Sequence, residues 1–84
     1  MDETKAIIEA VLFSAGREVS LKELQLLLEK SKEEIEEIIQ NMNLDYAKSS
    51  RGIEIVKADE NYQIASKSKY YDYIVKIIDK RNKP

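Results

Sequence analysis

The chain has 84 residues, 43% hydrophobic and 36% charged, with two glycines, one proline and a formal net charge of −2. That suffices for one modest core and does not suit a disordered tail. It has no cysteine and no histidine, which excludes disulfides, thiolate nucleophiles, most zinc sites and the usual general base. Its longest apolar run, Ala10 to Phe13, is too short to cross a bilayer or to form the core of a secretion signal, and this points to a cytoplasmic protein.

The first predicted helix runs from about Asp2 to Ala15. Asp2 and Glu3 suit the positive pole at its start, and Gly16, which tolerates a left-handed cap, ends it. Within "AIIEAVLFSA" only Glu9 and Ser14 are polar, so apolar side chains surround most of the helix. "REVS" follows as a short extended link. Ser20 then opens "SLKE" and Ser31 opens "SKEE", two capping boxes in which Glu23 and Glu34 reach back to the backbone of the capping serine. They delimit a short helix, a tight turn and a second helix reaching about Lys48, which is helix-turn-helix spacing. In "RGIEIVKADENYQIAS" the alternation of Ile53 and Ile55 with Glu54, and of Tyr62 and Ile64 with Gln63, predicts a half-buried hairpin turning at "ADEN". A last helix spans about Ser68 to Arg81. Three helices, a two-stranded wing and a final helix make a single domain over residues 1–84. It is mainly α with a small β-hairpin, in the order of a winged helix-turn-helix.

The phase of the third helix bears on DNA. At about 100° per residue, Ile35, Ile38, Ile39, Met42 and Tyr46 share one arc, the expected core face. Glu33, Glu34, Glu36 and Glu37 lie outside it, where a helix-turn-helix reader would approach closely spaced phosphates. The wing adds little, since Arg51 and Lys57 are outnumbered by Glu54, Asp59 and Glu60. Direct DNA binding by this domain is therefore not expected. Residues 1–66 hold eight Lys/Arg against fourteen Asp/Glu, a net of −6. Residues 67–84 hold six against two, a net of +4, and the two sum to −2. Lys80, Arg81 and Lys83 in this basic end complement the negative pole of the last helix.

Apolar residues in surplus of one core stripe point to protein contact instead. Leu21, Leu24, Leu27 and Leu28 share one arc of the second helix, whereas Leu26 points about 160° from Leu28. Leu44 falls on the acidic side of the third helix. On the last helix Tyr70, Tyr73, Ile74, Ile77 and Ile78 form a stripe that Tyr71 and Val75 widen beyond half the circumference. The candidate protein interface is therefore Phe13, Leu26, Leu44, Tyr71 and Val75. Catalysis finds no support: the carboxylates cluster on solvated helix faces and no glycine loop cradles a phosphate. Glu33 and Glu37, one turn apart, do not make a metal site without further ligands. No catalytic residue, metal or cofactor is expected.

The runs "IIEAVLFSAG", "SLKELQLLLEKS", "RGIEIV", "YQIASK" and "YYDYIVKII", in that order, resemble the N-terminal half of the segregation and condensation protein B family. This family supplies the winged-helix subunit of the bacterial SMC–kleisin chromosome condensation complex. The resemblance covers nearly the whole chain and rests on the order and spacing of apolar patterns. It departs at the wing tip, commonly glycine-rich in the family and "ADEN" here. It implies a non-enzymatic interaction subunit that forms a homodimer, binds the kleisin (segregation and condensation protein A) and through it meets the SMC protein, associated with the nucleoid. It also implies an N-terminal fragment of a two-domain protein. The alternative on the same scaffold is a winged-helix DNA-binding transcription regulator, which the acidic third helix disfavours.

Overall fold

A computed structural model describes residues 3–82, with side-chain surroundings for residues 3–78. The expected helix start at Asp2 and the basic Lys83 lie outside the described residues, as do the side chains of Lys80 and Arg81. The elements are α1 (Thr4–Ala15), β1 (Val19–Ser20), α2 (Leu21–Leu28), α3 (Lys32–Lys48), β2 (Ile53–Ala58), β3 (Asn61–Ser66), a 3-10 turn at Ser68–Tyr70, and α4 (Tyr71–Asn82). This is the expected winged-helix arrangement of helices and small sheet.

The helix ends follow from local chemistry. Gly16 takes φ 62° at the C-terminus of α1, in the left-handed region where a side chain is strained. Both capping boxes form. The Ser20 and Ser31 hydroxyls accept from the N–H groups of Glu23 and Glu34 at 3.1 and 3.2 Å, and each glutamate accepts from its serine's N–H at 3.0 and 2.9 Å. Those bonds to the serine backbone and hydroxyl hold the Glu23 and Glu34 carboxyls below their ordinary pKa. Glu29 closes α2 at φ 54°. Its left-handed backbone reverses the chain between α2 and α3 within three residues, and that reversal lets both helices pack on one core.

The sheet has three strands rather than two, in the order β1-β3-β2 and antiparallel throughout. The link read as merely extended pairs Val19 with Tyr62 and Ser20 with Asn61, on the edge of β3 opposite β2. Burial of Val19 explains the addition, because the core claims its side chain and β3 satisfies its backbone. The wing turn passes through Asp59 at φ 57°, a conformation that aspartate tolerates better than most residues.

One cluster forms the core: Ile8 and Leu12 of α1, Val19, Leu21 and Leu24, the α3 row Ile35, Ile39, Met42 and Tyr46, and Ile55 and Tyr62 of the sheet. Two expected core positions are corrected. Ile38 is half-buried against the cluster's edge, since it sits about 60° from Ile35 around the helix. Leu27 is exposed, because it lies about 60° beyond Leu24, past the rim of the buried arc. The apolar circumference of α1 is covered only in part. Ile8 and Leu12 are buried while Ile7, Ala10 and Phe13 on the opposite arc face solvent.

Candidate protein interface

The helix placed where a DNA reader would sit is held in position from its inner side. Asn43 on α3 clamps β2: its amide donates to the Ile55 carbonyl and accepts from the Ile55 N–H, both at 2.9 Å. The Tyr46 hydroxyl donates to Glu9 Oε2 at 2.6 Å, tying α3 to α1. Burial, and then that bond to a carboxylate, push the Tyr46 pKa up to about 12. Lys67 donates to the Tyr46 carbonyl at 2.6 Å and so fastens the approach to α4.

The four glutamates at the start of α3 do not share one role. Glu34 is spent in the capping box. Glu36 is half-buried and pairs with Lys57 of β2 at 3.1 Å, which raises the lysine's pKa chiefly through that hydrogen bond. Glu33 and Glu37 remain on the solvent face, and Leu44 lies between them around the helix, about 180° from Ile35. The wing's Lys57 is thus engaged by α3 instead of pointing toward a nucleic acid. Among the described residues, the outer face of α3 offers carboxylates where a phosphate would come.

The exposed apolar residues fall into distinct places. Leu26, 80% exposed, stands at the rim of a groove of about 380 Å³ between α1 and α2. Val11, Ala15, Val19, Leu24 and Leu27 line that groove, and the Arg17–Glu23 ion pair at 3.5 Å lies at its polar edge. Phe13, 77% exposed, borders a second groove of about 310 Å³ between the end of α1 and the β2–β3 face, beside Ile53 and Ile64. Leu44, 58% exposed, is isolated on α3. Tyr71 is exposed and Val75, one turn on, is half-buried. The structure therefore does not unite the five candidates: Phe13 and Leu26 flank α1 on different sides, and the α4 pair is separate.

Sequence phase missed Leu27, Ile7, Tyr73 and Ile77 as exposed surface. For Leu27 a signal was present in its position at the margin of the apolar arc. For Tyr73 and Ile77 the signal was the width of the α4 stripe, which exceeds what one packed face can cover.

Comparison with known proteins bears on what these faces meet. A model of the segregation and condensation complex subunit ScpB family matches residues 6–84. Segregation and condensation protein B of Clostridioides difficile strain 630 is 37% identical over 84 residues, covering 98% of this chain and 47% of its own length. Its counterpart in Clostridium perfringens strain SM101 is 36% identical over 80 residues, covering 94% and 41%. The chain thus spans about half the length of the curated relatives it matches, or somewhat less. Among solved structures, a dimer of ScpB N-terminal domain complexed with ScpA peptide superposes with a TM-score of 0.83 at 32% identity, over 92% of this chain and 93% of that one. ScpB from Mycobacterium tuberculosis superposes with a TM-score of 0.86 over the whole of this chain and 54% of that one; at 19% identity it speaks for the fold alone.

Proposed function

The chain belongs to the segregation and condensation complex subunit ScpB family, and from that premise we propose that it is a non-enzymatic interaction module. It pairs with a second copy of itself and holds a segment of the kleisin, segregation and condensation protein A. Through the kleisin it joins the SMC protein at the nucleoid, within the cytoplasm. Residues 1–84 act as one winged-helix unit in this scheme.

One observation carries the reading. Large apolar side chains on α1, α2 and α4 stay exposed, on a chain that superposes nearly end to end with a domain crystallised as a dimer with a ScpA peptide. A domain of this size buries only about 60% of the surface its chain exposes, so apolar groups beyond one core stay wet or find a partner. The mechanism is scaffolding, with no bond made or broken. A twofold pair presents two equivalent surfaces, and an extended partner segment crosses them. Phe13, Leu26, Leu44, Tyr71 and Val75 are the positions we assign to these contacts, with Leu27 beside Leu26 in the α1–α2 groove.

The test joins two measurements. Sedimentation across a range of concentrations should show a dimer, and a labelled kleisin peptide should bind with an anisotropy change that saturates. A strictly monomeric chain that leaves the peptide free overturns the reading. Tight, sequence-selective gel shifts with duplex DNA would favour the transcription-regulator alternative, against which Glu33 and Glu37 stand.

A further inference from the structure

β2 is the outer strand of the sheet, and its sequence is of the kind that other strands join. The order β1-β3-β2 leaves one side of Ile53–Ala58 without a strand neighbour among the described residues. "IEIVKA" carries Ile53, Ile55 and Val56, holds neither glycine nor proline, and its Glu54 and Lys57 cancel in charge. A six-residue segment of high β propensity and no net charge on an open edge is a template for pairing with another chain. At the opposite edge of the sheet the risk is met by length, since β1 has only two residues.

The ladder fixes which groups the β2 edge presents. Along an antiparallel strand the backbone groups of successive residues point alternately toward the neighbour and away from it. Both groups of Ile55 meet the Asn43 side chain, whose amide donates to the carbonyl and whose oxygen accepts from the N–H, each at 2.9 Å. Ile55, opposite Ile64, therefore faces away from β3, and Ile53 and Lys57 face the same way. Asparagine suits this place because its side chain offers a donor and an acceptor side by side, as a residue of a neighbouring strand does. Glu36, about two turns before Asn43 on the same face of α3, holds the Lys57 ammonium at 3.1 Å. α3 thus engages the edge twice, once through backbone at Ile55 and once through a side chain at Lys57.

We propose that α3 closes the wing to strand addition, and that Asn43 is the surrogate strand residue that holds it closed. The strand kept out is β2 of a second copy. Two such edges meeting antiparallel about Ile55 would set Ile53 opposite Lys57 in both directions, so every outward residue of one copy would find an outward residue of the other. With the middle position occupied from within the chain, that ladder has no centre. The device is independent of the pairing put forward above, which uses side chains on the helices and not the backbone of the wing.

The test compares the wild type, Asn43→Ala, and Asn43→Ala combined with Lys57→Pro. Proline at 57 removes an outward N–H and leaves the ladder with β3 its donors, since Lys57 faces the open edge. Under conditions where circular dichroism shows native helix, light scattering on concentrated Asn43→Ala should give a mass several-fold above that of the wild type, with the infrared amide band of intermolecular strands. The double variant should return to the wild-type mass. Association driven only by lost stability would behave in the opposite way, because the proline destabilises further and would raise the mass. An Asn43→Ala chain that keeps the wild-type mass at every concentration overturns the proposal, as does a double variant that associates as much as the single one. Should Asn43→Ala fail to fold, Asn43→Asp carries the same comparison: it keeps the acceptor for the Ile55 N–H, gives up the donor, and should show a smaller gain that the proline again removes.

Discussion

α3 and α4 begin from the same kind of pattern and end differently. Each carries an apolar stripe and a charged face. α3 buries Ile35, Ile39, Met42 and Tyr46 and is pinned on both sides, to β2 through Asn43 and to α1 through Tyr46. α4 buries none of its described side chains and leaves Tyr73 and Ile77 to solvent. Periodicity specifies that a helix has a face to cover; the cover itself comes from what the rest of the chain brings alongside. For α3 the described chain supplies it; for α4 it leaves Tyr73 and Ile77 uncovered. The same comparison separates this domain from a DNA reader, since the outer face of α3 carries Glu33 and Glu37 where a reader would carry basic groups, whereas α4 and the α1–α2 groove leave apolar side chains exposed.

The largest break in this comparison should come at Ile35, which is fully buried. Ile35→Ala should cost about 2–5 kcal/mol, the range for removing a large buried aliphatic. Denaturant unfolding would read it as a lower midpoint at unchanged slope. Ile38→Ala should cost less, as its side chain is only half-buried.

Next in size is the clamp between α3 and the wing. Asn43→Ala removes the donor and the acceptor that satisfy Ile55's backbone, in a residue whose side chain lies in the core. The loss should be about 1–3 kcal/mol, the cost of leaving buried polar groups without partners. Amide exchange should quicken at Ile55 well before it does in α1, since local openings follow the loss of local bonds.

A smaller effect is expected from Tyr46→Phe, about 1 kcal/mol for one hydrogen bond, with a distinctive dependence on pH. The folded-state pKa of Tyr46 is raised to about 12, above the ordinary value near 10 for an unfolded tyrosine. Between these values the native state keeps a proton that the unfolded chain gives up. This contribution is therefore complete below about pH 10 and declines as pH rises toward 12. Stability measured across that window should fall more steeply in the wild type than in Tyr46→Phe, and parallel curves would mean that folding does not raise the pKa of Tyr46.

The legible parts of the molecule are those set by short-range chemistry. Ser20 with Glu23, Ser31 with Glu34, Gly16, and the alternation around Ile55 and Tyr62 are local devices, and each is realised. The third strand was hidden because two residues, Val19 and Ser20, show no periodicity and pair only after β3 is in place. Ile38 and Leu27 were misplaced because a phase wheel locates the centre of a buried arc better than its rim. The Asn43 clamp and the Tyr46–Glu9 bond join residues 12 and 37 positions apart, and no pattern within one helix announces them. Among the interface candidates, Leu26 and Leu44 were readable as phase outliers. Phe13 was readable only as a member of an all-round apolar helix, because Glu9 and Ser14 alone do not divide its faces.

The smallest expected effect sharpens the contrast most. Ile77→Ala on α4 removes the same three carbons as Ile35→Ala on α3, so hydrocarbon transfer alone would predict equal costs. Burial makes them unequal. Ile35 leaves a cavity among side chains that cannot close around it, whereas Ile77 is already mostly in water. In dilute solution the change at Ile77 should stay within about 0.5 kcal/mol, as for surface substitutions generally. Concentration then decides what covers α4. If a second copy does, dimer formation stabilises the wild type by mass action, and the penalty for Ile77→Ala should grow as the chain is concentrated while that for Ile35→Ala keeps its large core component. Thermal unfolding of both variants over a hundredfold range of concentration would read this directly. A penalty at Ile77 that is large when dilute would mean that α4 packs on its own body, and one that stays small when concentrated would mean that this flank of α4 meets no second copy.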